Sequence, residues 1–375
     1  MDLRTILALI AAIVLIVFFF WIPWTVIVNN IVENPKLRRT LRWIFIAAIA
    51  LSIPAMYLGH AKHFDPARLY ADLFMGTSWI AFTWSFIVGI IGFILAKLTR
   101  LDLKKPTGFT ALATVLAMLA IAVYGGMKQP AINHDTIKIA KLNSKMNGLK
   151  VAVISDTHFG PINRVQWMKT LVDRINEEQP DVVLFAGDIA DGTPSQRKEE
   201  AAQLKNIKAK YRGYVTGNHE YIEGAVAWED TMSSLGWTVL HNKNMQIQYQ
   251  GGTMTIAGID DRSAAQYHIA GQGANIKAAL QGVDHSQAIL LVAHQPKQVS
   301  DAIAQKVDLQ VSGHTHGGQI WPFQYFVPLD QPLLEGLKNF NGTQLFVTRG
   351  AGTWGPPMRL FAPSEINMLT LVNGS

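Results

Sequence analysis

The stretch Leu149–Gly160, LKVAVISDTHFG, decides the fold of the C-terminal part of this chain. Apart from Lys150, its first six residues are apolar and rich in Val and Ile, which is typical of a strand covered on both faces of a sheet. Asp156 and His158 follow directly and leave the same side of the chain, because they are two residues apart on an extended segment. A carboxylate and an imidazole in this arrangement can reach one cation, although Asp-x-His alone is usually an incidental loop pair.

Four later segments repeat this pattern of an apolar run, a small residue and then side chains that bind metals. They are Gly187-Asp188-x-x-Asp191, Gly217-Asn218-His219-Glu220, Ala293-His294 and Gly313-His314-Thr315-His316-Gly317. Each segment places polar side chains where a strand gives way to a loop, the edge at which α/β sheets usually build their sites. The glycines allow sharp turns and close approach of the backbone. The repeated pattern therefore predicts a metal site at that edge.

The composition limits the chemistry of such a site. The chain has no cysteine, which excludes disulfides, thiolate metal sites and cysteine nucleophiles, so any metal must be held by nitrogen and oxygen atoms. Imidazole and oxygen ligands favour Mn, Fe or Zn over copper(I) or iron–sulfur centres. The net charge of +6 comes partly from Lys and Arg beside apolar segments, so we predict no nucleic-acid partner.

The five motifs, in this order, resemble those of the calcineurin-like metallophosphoesterases. The segment Gly313–Gln319 (GHTHGGQ) and the tail around Thr348–Pro363 resemble the membrane-anchored bacterial YkuE-like branch of that family. The resemblance extends from Lys150 to the C-terminus. It implies an α/β fold in which a two-sheet β-sandwich is flanked by helices, a four-layer αββα arrangement. It also implies a hydrolase that uses two divalent metal ions (Mn, Fe or Zn) on phosphoric ester bonds.

The resemblance also implies roles for individual residues. Seven metal ligands are implied: Asp156, His158 and His316 for one ion, Asn218, His294 and His314 for the other, and Asp188 bridging the two. Two such ions can make a bridging hydroxide that attacks phosphorus in line, so no protein nucleophile is required. His219 is expected to protonate the leaving alkoxide, with Asp191 orienting its ring. Gly192 stands where the protein serine/threonine phosphatases of this superfamily have Arg, which counts against a phosphoprotein substrate.

The N-terminal third is dominated by apolar runs long enough to cross a bilayer at about 20 residues each. We predict four transmembrane helices within residues 1–127, over Ile6–Val28, Trp43–Leu58, Leu73–Leu95 and Ala111–Tyr124. These spans contain no ionisable side chain, which favours an anchor over a transporter. Residues 128–148 are predicted to form a linker, within which Thr136–Lys141 alternates like an edge strand. Residues 149–375 are predicted to form the catalytic domain.

The distribution of positive charge predicts the topology. The first and third connections carry eight basic residues, Lys36, Arg38, Arg39, Arg42, Lys97, Arg100, Lys104 and Lys105. The opposite side carries only Arg4, Lys62, Arg68 and Lys128. Because short cytoplasmic loops are enriched in Lys and Arg, we expect a multi-pass protein of a bacterial inner or plasma membrane with an extracytoplasmic catalytic domain.

Several features leave alternatives open. The predicted partners are membrane lipids and a phosphomono- or diester, including lipid-linked ones, and the aromatic segment Ile320–Pro328 either packs beneath the site or forms a rim that contacts acyl chains. Arg349 and Arg359 either bind phosphate or form structural pairs.

A UDP-2,3-diacylglucosamine-type pyrophosphatase of lipid A synthesis is the alternative enzyme, which a cytoplasmic domain would favour. A non-enzymatic membrane sensor or scaffold with a relic site is the other alternative, but every motif position keeps its ligand residue. The oligomeric state is not predicted.

Overall fold

The computed structural model describes residues 17–374. Contacts between residues divide the chain into two units. A helical unit ends at Tyr124 and also includes the short segment Gly355–Met358, and a second unit contains Gly125–Trp354 together with the residues from Arg359 onward.

The helical unit contains long apolar helices. They are α1 (Val17–Ile31), α2 (Pro35–Met56, continued by a π-helical turn over Tyr57–Ala61), α3 (Asp65–Thr99) and α4 (Lys104–Met127). Within residues 17–374, three of these helical segments, Pro35–Ala61, Asp65–Thr99 and Lys104–Met127, are long and apolar enough to span a membrane, and α1 is shorter. Residues 6–16 of the first predicted span lie outside the described part of the chain.

Helix α3 begins eight residues before the predicted span at Leu73, because hydropathy marks only the apolar section of a helix. Its first two turns contain Arg68 and Asp72, whose side chains are buried within the unit. The Asp72 carboxylate lies 3.8 Å from Arg68 Nε and 3.1 Å from His60 Nε2. Arg68 and Asp72 thus pair with each other and with His60 outside the long apolar section of the helix.

The second unit contains two six-stranded sheets. The first has the order β1 (Ala131–Ile139), β12 (Glu365–Asn373), β2 (Leu149–Ile154), β3 (Val182–Ala186), β4 (Tyr211–Val215) and β5 (Thr238–Val239). The second has the order β10 (Gly336–Phe340), β11 (Thr343–Val347), β9 (Leu309–Ser312), β8 (Ile289–Val292), β7 (Gly252–Gly258) and β6 (Lys243–Tyr249). Strands β2 to β5 run parallel, as do β7, β8, β9 and β11.

The two sheets pack face to face, with helices on their outer faces. Alternate residues of β2 explain the layers, because Val151 and Val153 point into the core between the sheets and Ala152 and Ile154 point toward the outer helix. The helices in chain order are α5 (Val165–Glu177), α6 (Lys198–Ala202), α7 (Asn218–Glu223), α8 (Ala225–Ser234), α9 (Ala264–Tyr267), α10 (Ile276–Ala279) and α11 (Val299–Ala304). Helices α10 and α11 cover the second sheet. The predicted four-layer αββα fold is confirmed.

Two predicted elements differ in extent. The stretch predicted as a linker contains β1, which begins at Ala131 rather than Thr136 and pairs in parallel with β12 at the edge of the first sheet. The sequence also predicts a helix over Pro194–Lys210, and the structure limits it to α6 and a 3₁₀ turn that ends at Asn206. The extended backbone of Ile207 ends this turn, and its side chain is buried in the core beneath α5.

Candidate metal centre

The predicted site residues follow strands whose carboxyl ends meet at one edge of the sandwich. The first sheet supplies Asp156 and His158 after β2, Asp188 and Asp191 after β3, and Asn218 and His219 after β4. The second sheet supplies His294 after β8 and His314 and His316 after β9. Close contacts between neighbouring members, described below, link these nine side chains at that edge.

The first group consists of Asp156, His158 and His316, whose ligand atoms lie within 4.8 Å of one another. Asp156 Oδ1 is 3.4 Å from His316 Nε2. The Asp156 carboxylate also accepts the backbone N–H of His314, at 3.1 Å and 3.0 Å from its two oxygens. This hydrogen bond fixes a carboxylate of the first sheet to a loop of the second.

The second group is centred on Asp188. Its Oδ2 atom lies 3.3 Å from His294 Nε2 and 3.6 Å from His158 Nε2, so this carboxylate touches both groups. Asn218 Oδ1 lies 3.2 Å from His294 Nε2 and 2.9 Å from His314 Nδ1. Asp188 is therefore positioned between the two sets of donors, and the Asn218 oxygen lies between two imidazoles.

The donors fit divalent cations. They are carboxylate, amide and imidazole groups, all buried or partly buried, and no sulfur is present. Within residues 17–374, His158 Nε2 is buried and forms no hydrogen bond. A buried nitrogen without a hydrogen bond costs free energy unless another partner satisfies it. A cation between the carboxylates would supply that partner.

The charges in this centre oppose one another strongly. Burial by itself would raise the pKa of Asp188, but the positive charge on His294 and His219 holds that pKa well below its usual range. Burial would lower the pKa of His294, but Asp188 raises it well above normal. For His316, burial lowers the pKa well below normal and positive charge on His158 lowers it further. His316 is therefore available as a neutral ligand.

His219 and Asp191 lie beside the two groups. The backbone N–H of His219 donates to Asp188 Oδ1 at 2.8 Å, and its ring Nδ1 is 3.5 Å from Asp191 Oδ1. The same Asp191 oxygen lies 3.0 Å from His158 Nδ1. Burial would lower the pKa of His219, but the negative charges of Asp188 and Asp191 raise it to about 9. Asp191 is thus shared between the two imidazoles, a feature that the motifs did not reveal.

The backbone at this edge is unusual. Five of the site residues have positive φ angles, which non-glycine residues rarely adopt: Asp156 (53°), His158 (39°), Asp188 (53°), His314 (71°) and His316 (51°). Such conformations cost about 1–3 kcal/mol each and persist only where the surrounding structure enforces them. Five such residues at one edge indicate loops whose backbone is held in an unfavourable conformation so that the side chains converge.

Glu220 is a supporting residue that the sequence analysis quoted without a role. Its carboxylate accepts the backbone N–H groups of Ile189 at 2.7 Å, Asp188 at 3.0 Å and Gly217. Burial and the neighbouring Asp188 raise its pKa to about 7. Its place three residues after Gly217, at the start of a helix, is the half of a capping box in which the side chain accepts the N-cap N–H, and it could have identified the residue.

Both candidate phosphate-binding arginines have structural partners. Arg359 is 2% exposed, and its guanidinium donates to five backbone carbonyls, those of Gly352, His316, Ala362, Arg349 and Gly350. Arg349 forms an ion pair with Glu365 and lies 3.4 Å from Glu335. Structural pairing, one of the two alternatives from the sequence, describes both side chains.

The aromatic segment after the last motif lies at the surface rather than beneath the site. Phe323, Tyr325 and Phe326 are 47%, 67% and 50% exposed. Trp354 is 47% exposed, and its ring meets that of His219 edge-on with 6.4 Å between centroids. Gln319 holds Trp354, because its side chain accepts the Trp354 N–H at 2.8 Å and donates to the Trp354 carbonyl at 2.9 Å.

Comparison with known proteins gives consistent matches. The model of the calcineurin-like phosphoesterase family matches residues 149–318. An uncharacterized metallophosphoesterase of Helicobacter pylori is 33% identical over 88% of this chain and 89% of its own length. A protein of Danio rerio named "transmembrane protein with metallophosphoesterase domain" is 34% identical over 69% of this chain, which spans 62% of that relative's length. The metallophosphoesterase YkuE of Bacillus subtilis is 30% identical over 64% of this chain and 84% of its own length.

Proposed function

Because the chain belongs to the calcineurin-like metallophosphoesterases, we propose that it hydrolyses a phosphate ester at or near the membrane surface with two divalent ions. Metal-dependent hydrolysis of phosphoric ester bonds is the activity of that family. The substrate, the residue roles, the identity of the metals and the location of the domain are the proposed parts.

The proposed ligands are Asp156, His158 and His316 for one ion and Asn218, His294 and His314 for the other, with Asp188 shared. The support is the pair of convergent groups and the position of Asp188 Oδ2, 3.3 Å and 3.6 Å from imidazole nitrogens of the two groups. When bound, such ions polarise the phosphoryl oxygens and make a water nucleophile available at neutral pH. The proposed ligands are oxygen and imidazole donors without sulfur, which suit Mn, Fe or Zn, and Mn is the first of these to test.

His219 is proposed to protonate the leaving oxygen. Asp191 Oδ1, 3.5 Å from Nδ1, can hold the proton on that nitrogen and leave Nε2 for the leaving group. The negative charges of Asp188 and Asp191 raise the pKa of His219, which favours the protonated form that a general acid uses. The hydrogen bond from the His219 backbone N–H to Asp188 Oδ1 places the residue beside the groups proposed to hold the ions.

The substrate is proposed to be lipid-linked, and the observation that carries this proposal is the exposed aromatic surface of the catalytic unit. Phe323, Tyr325 and Phe326 together expose more apolar area than an isolated surface residue would, and aromatic rings suit the lipid–water interface. The ring of Trp354 lies 6.4 Å from that of His219, the residue proposed to protonate the leaving alcohol. An apolar leaving group such as a lipid alcohol matches that position.

The test is phosphate release by purified protein, with Mn added, from long-chain and short-chain esters that carry the same phosphoryl group. A preference for the long-chain ester in mixed micelles supports the proposal. Equal rates on glycerol phosphate would remove the lipid part of it. A UDP-diacylglucosamine analogue belongs in the same panel, since release of UMP from it would identify the pyrophosphatase alternative.

The catalytic domain is proposed to lie outside the cytoplasm of a bacterial cell, on the balance of Lys and Arg between the connecting loops. A phosphatase reporter that is active only after export should be active in cells when it is fused to residue 375. Activity from a cytoplasmic reporter alone at the same position would reverse the topology and would favour the pyrophosphatase.

A further inference from the structure

A second, smaller cluster of metal-binding side chains lies apart from the residues described above. Glu229 on α8, His241 in the turn between β5 and β6, and Asp260 after β7 each offer one ligand atom, and the three atoms lie within 4.8 Å of one another. His241 Nδ1 is 2.7 Å from Asp260 Oδ1 and 3.4 Å from Glu229 Oε1. The catalytic motifs include none of these residues.

The outer oxygens of the two carboxylates are held by other groups. Glu229 Oε2 accepts Gln272 Nε2 at 2.9 Å. Asp260 Oδ2 accepts the backbone N–H of Gly273 at 2.8 Å and the side chain of Asn242 at 3.3 Å. Metal-ligating carboxylates are typically oriented by hydrogen bonds of this kind. One oxygen of each carboxylate therefore remains directed at the same imidazole nitrogen.

The inner oxygen of Glu229 is the feature that calls for a cation. Within residues 17–374, Glu229 Oε1 is buried and accepts no hydrogen bond, and His241 Nδ1 at 3.4 Å is oriented toward Asp260 instead. A buried carboxylate oxygen without a donor costs free energy, and a cation would satisfy it.

We propose that Glu229, His241 and Asp260 bind a third divalent cation, of the Zn²⁺ or Mn²⁺ class, distinct from the catalytic pair. Two carboxylates balance its charge, and one imidazole with two carboxylate oxygens is a donor set that suits these ions. Ligand atoms bonded at about 2.0 Å in a tetrahedron lie about 3.3 Å apart, so His241 Nδ1 and Glu229 Oε1, at 3.4 Å, already have that spacing. Asp260 Oδ1 is hydrogen-bonded to the same nitrogen at 2.7 Å and would move outward by about 0.6 Å when the ion binds. The side chain of His241 is 28% exposed, which leaves an entry path and room for water as a further ligand.

A cation here would join three segments that are distant in sequence. Helix α8 carries Glu229, the turn before β6 carries His241, and the long connection after β7 begins with Asp260. That connection returns to the cluster through Gln272 and Gly273. The expected role is structural, because the ion would fix this loop in the way that a cross-link does.

The test counts ions on the full-length protein in detergent. Protein stripped with chelator is dialysed against Zn²⁺ or Mn²⁺, and bound metal per chain is measured by mass spectrometry. The wild type should retain one ion more than Glu229→Gln or His241→Gln, two variants on different elements that preserve size and hydrogen bonding. His285→Gln, which changes a histidine in an exposed turn, is the matched control and should bind as many ions as the wild type.

The Asp188→Ala background separates this site from the catalytic one. In that background, Zn²⁺ should still raise the melting temperature, and adding His241→Gln should abolish the rise. Equal ion counts in the wild type and in both folded cluster variants would overturn the proposal. If one variant fails to fold, the other gives the same reading.

Discussion

The two sheets contribute to the metal centre in different ways. The first sheet supplies all of its carboxylates, and these are braced by side chains, since Glu220 holds the amides of the Asp188 loop and Asp191 contacts two imidazoles. The second sheet supplies only imidazoles, and its loop is held by a basic side chain, because the guanidinium of the buried Arg359 donates a hydrogen bond to the His316 carbonyl.

The residues of the two sheets also differ in charge. The carboxylates of the first sheet provide the negative charge that attracts cations, whereas burial lowers the pKa of His314 and His316 and makes them neutral donors. Substitutions of the first-sheet residues are therefore expected to change metal affinity and the acid–base step. Substitutions that affect the second-sheet loop are expected to act mainly through the stability of the fold.

The largest effect is expected at the residue that joins the halves. Asp188→Ala removes the carboxylate that touches donors from both sheets, so hydrolysis should fall to the uncatalysed rate while the domain stays folded. Phosphate release and circular dichroism measure the two parts. Asp173→Ala, which removes an exposed carboxylate on α5, is the control and should keep full activity. Undiminished turnover by metal-stripped Asp188→Ala protein would contradict the two-metal proposal.

The acid–base step gives the next effect. His219→Ala should slow hydrolysis of alkyl phosphates by about 10²–10⁴-fold, because their leaving oxygen needs a proton. Nitrophenyl phosphate needs little protonation and should be slowed far less. The ratio of the two rates, measured at saturating metal, is the diagnostic quantity. An equal loss on both substrates would assign His219 to metal binding instead.

The residues that support the two sets of loops, Glu220 and Arg359, should give different effects when substituted. Glu220→Ala leaves three amides of the Asp188 and Gly217 loops without their acceptor, so the Mn concentration for half-maximal activity should rise about 10–100-fold. Arg359→Lys leaves buried carbonyls unpaired and should lower the free energy of unfolding by about 1–3 kcal/mol, with a smaller change in metal requirement. Metal titrations and thermal melts on both variants test this. Identical behaviour would mean that the halves are supported in the same way.

The smallest effect is expected at the aromatic surface. Replacing Trp321 and Phe323 with Ser should lower hydrolysis of a lipid phosphate in vesicles severalfold and leave a short-chain ester unchanged, since we propose that the aromatics contact lipid rather than phosphate. Leu337→Ser, an exposed apolar residue on β10, is the matched control. Parallel losses on both substrates would reduce the segment to a packing role.

The sequence predicted best what local pattern controls. The apolar runs before Asp156, Asp188 and His294 marked strands that the structure contains, because a strand buried on both faces needs such residues at every position. The strand β10 was missed although Asn341-Gly342 is a strong hairpin signal between it and β11. The strand β12 was missed as well, because its core residues are interrupted by Asn367 and Thr370.

The supporting contacts of the site could not be predicted in the same way. Arg359 meets carbonyls contributed by residues 316 and 349–362, and the shared position of Asp191 depends on the approach of the loops after β2, β3 and β4. These are properties of tertiary packing, and no short-range spacing encodes them. The candidate donors could be predicted from motifs, whereas the groups that orient them depend on tertiary contacts.

The position of β12 has a consequence for how the domain is made. This strand, Glu365–Asn373, lies between β1 and β2, so two strands formed early in synthesis have no partner on that side until these residues leave the ribosome. Until then β2 exposes an unpaired edge, which is a template for aggregation. Nascent chains that stall before Glu365 should therefore be recognised by chaperones or proteases, and a reporter joined ahead of this strand would measure degradation rather than location.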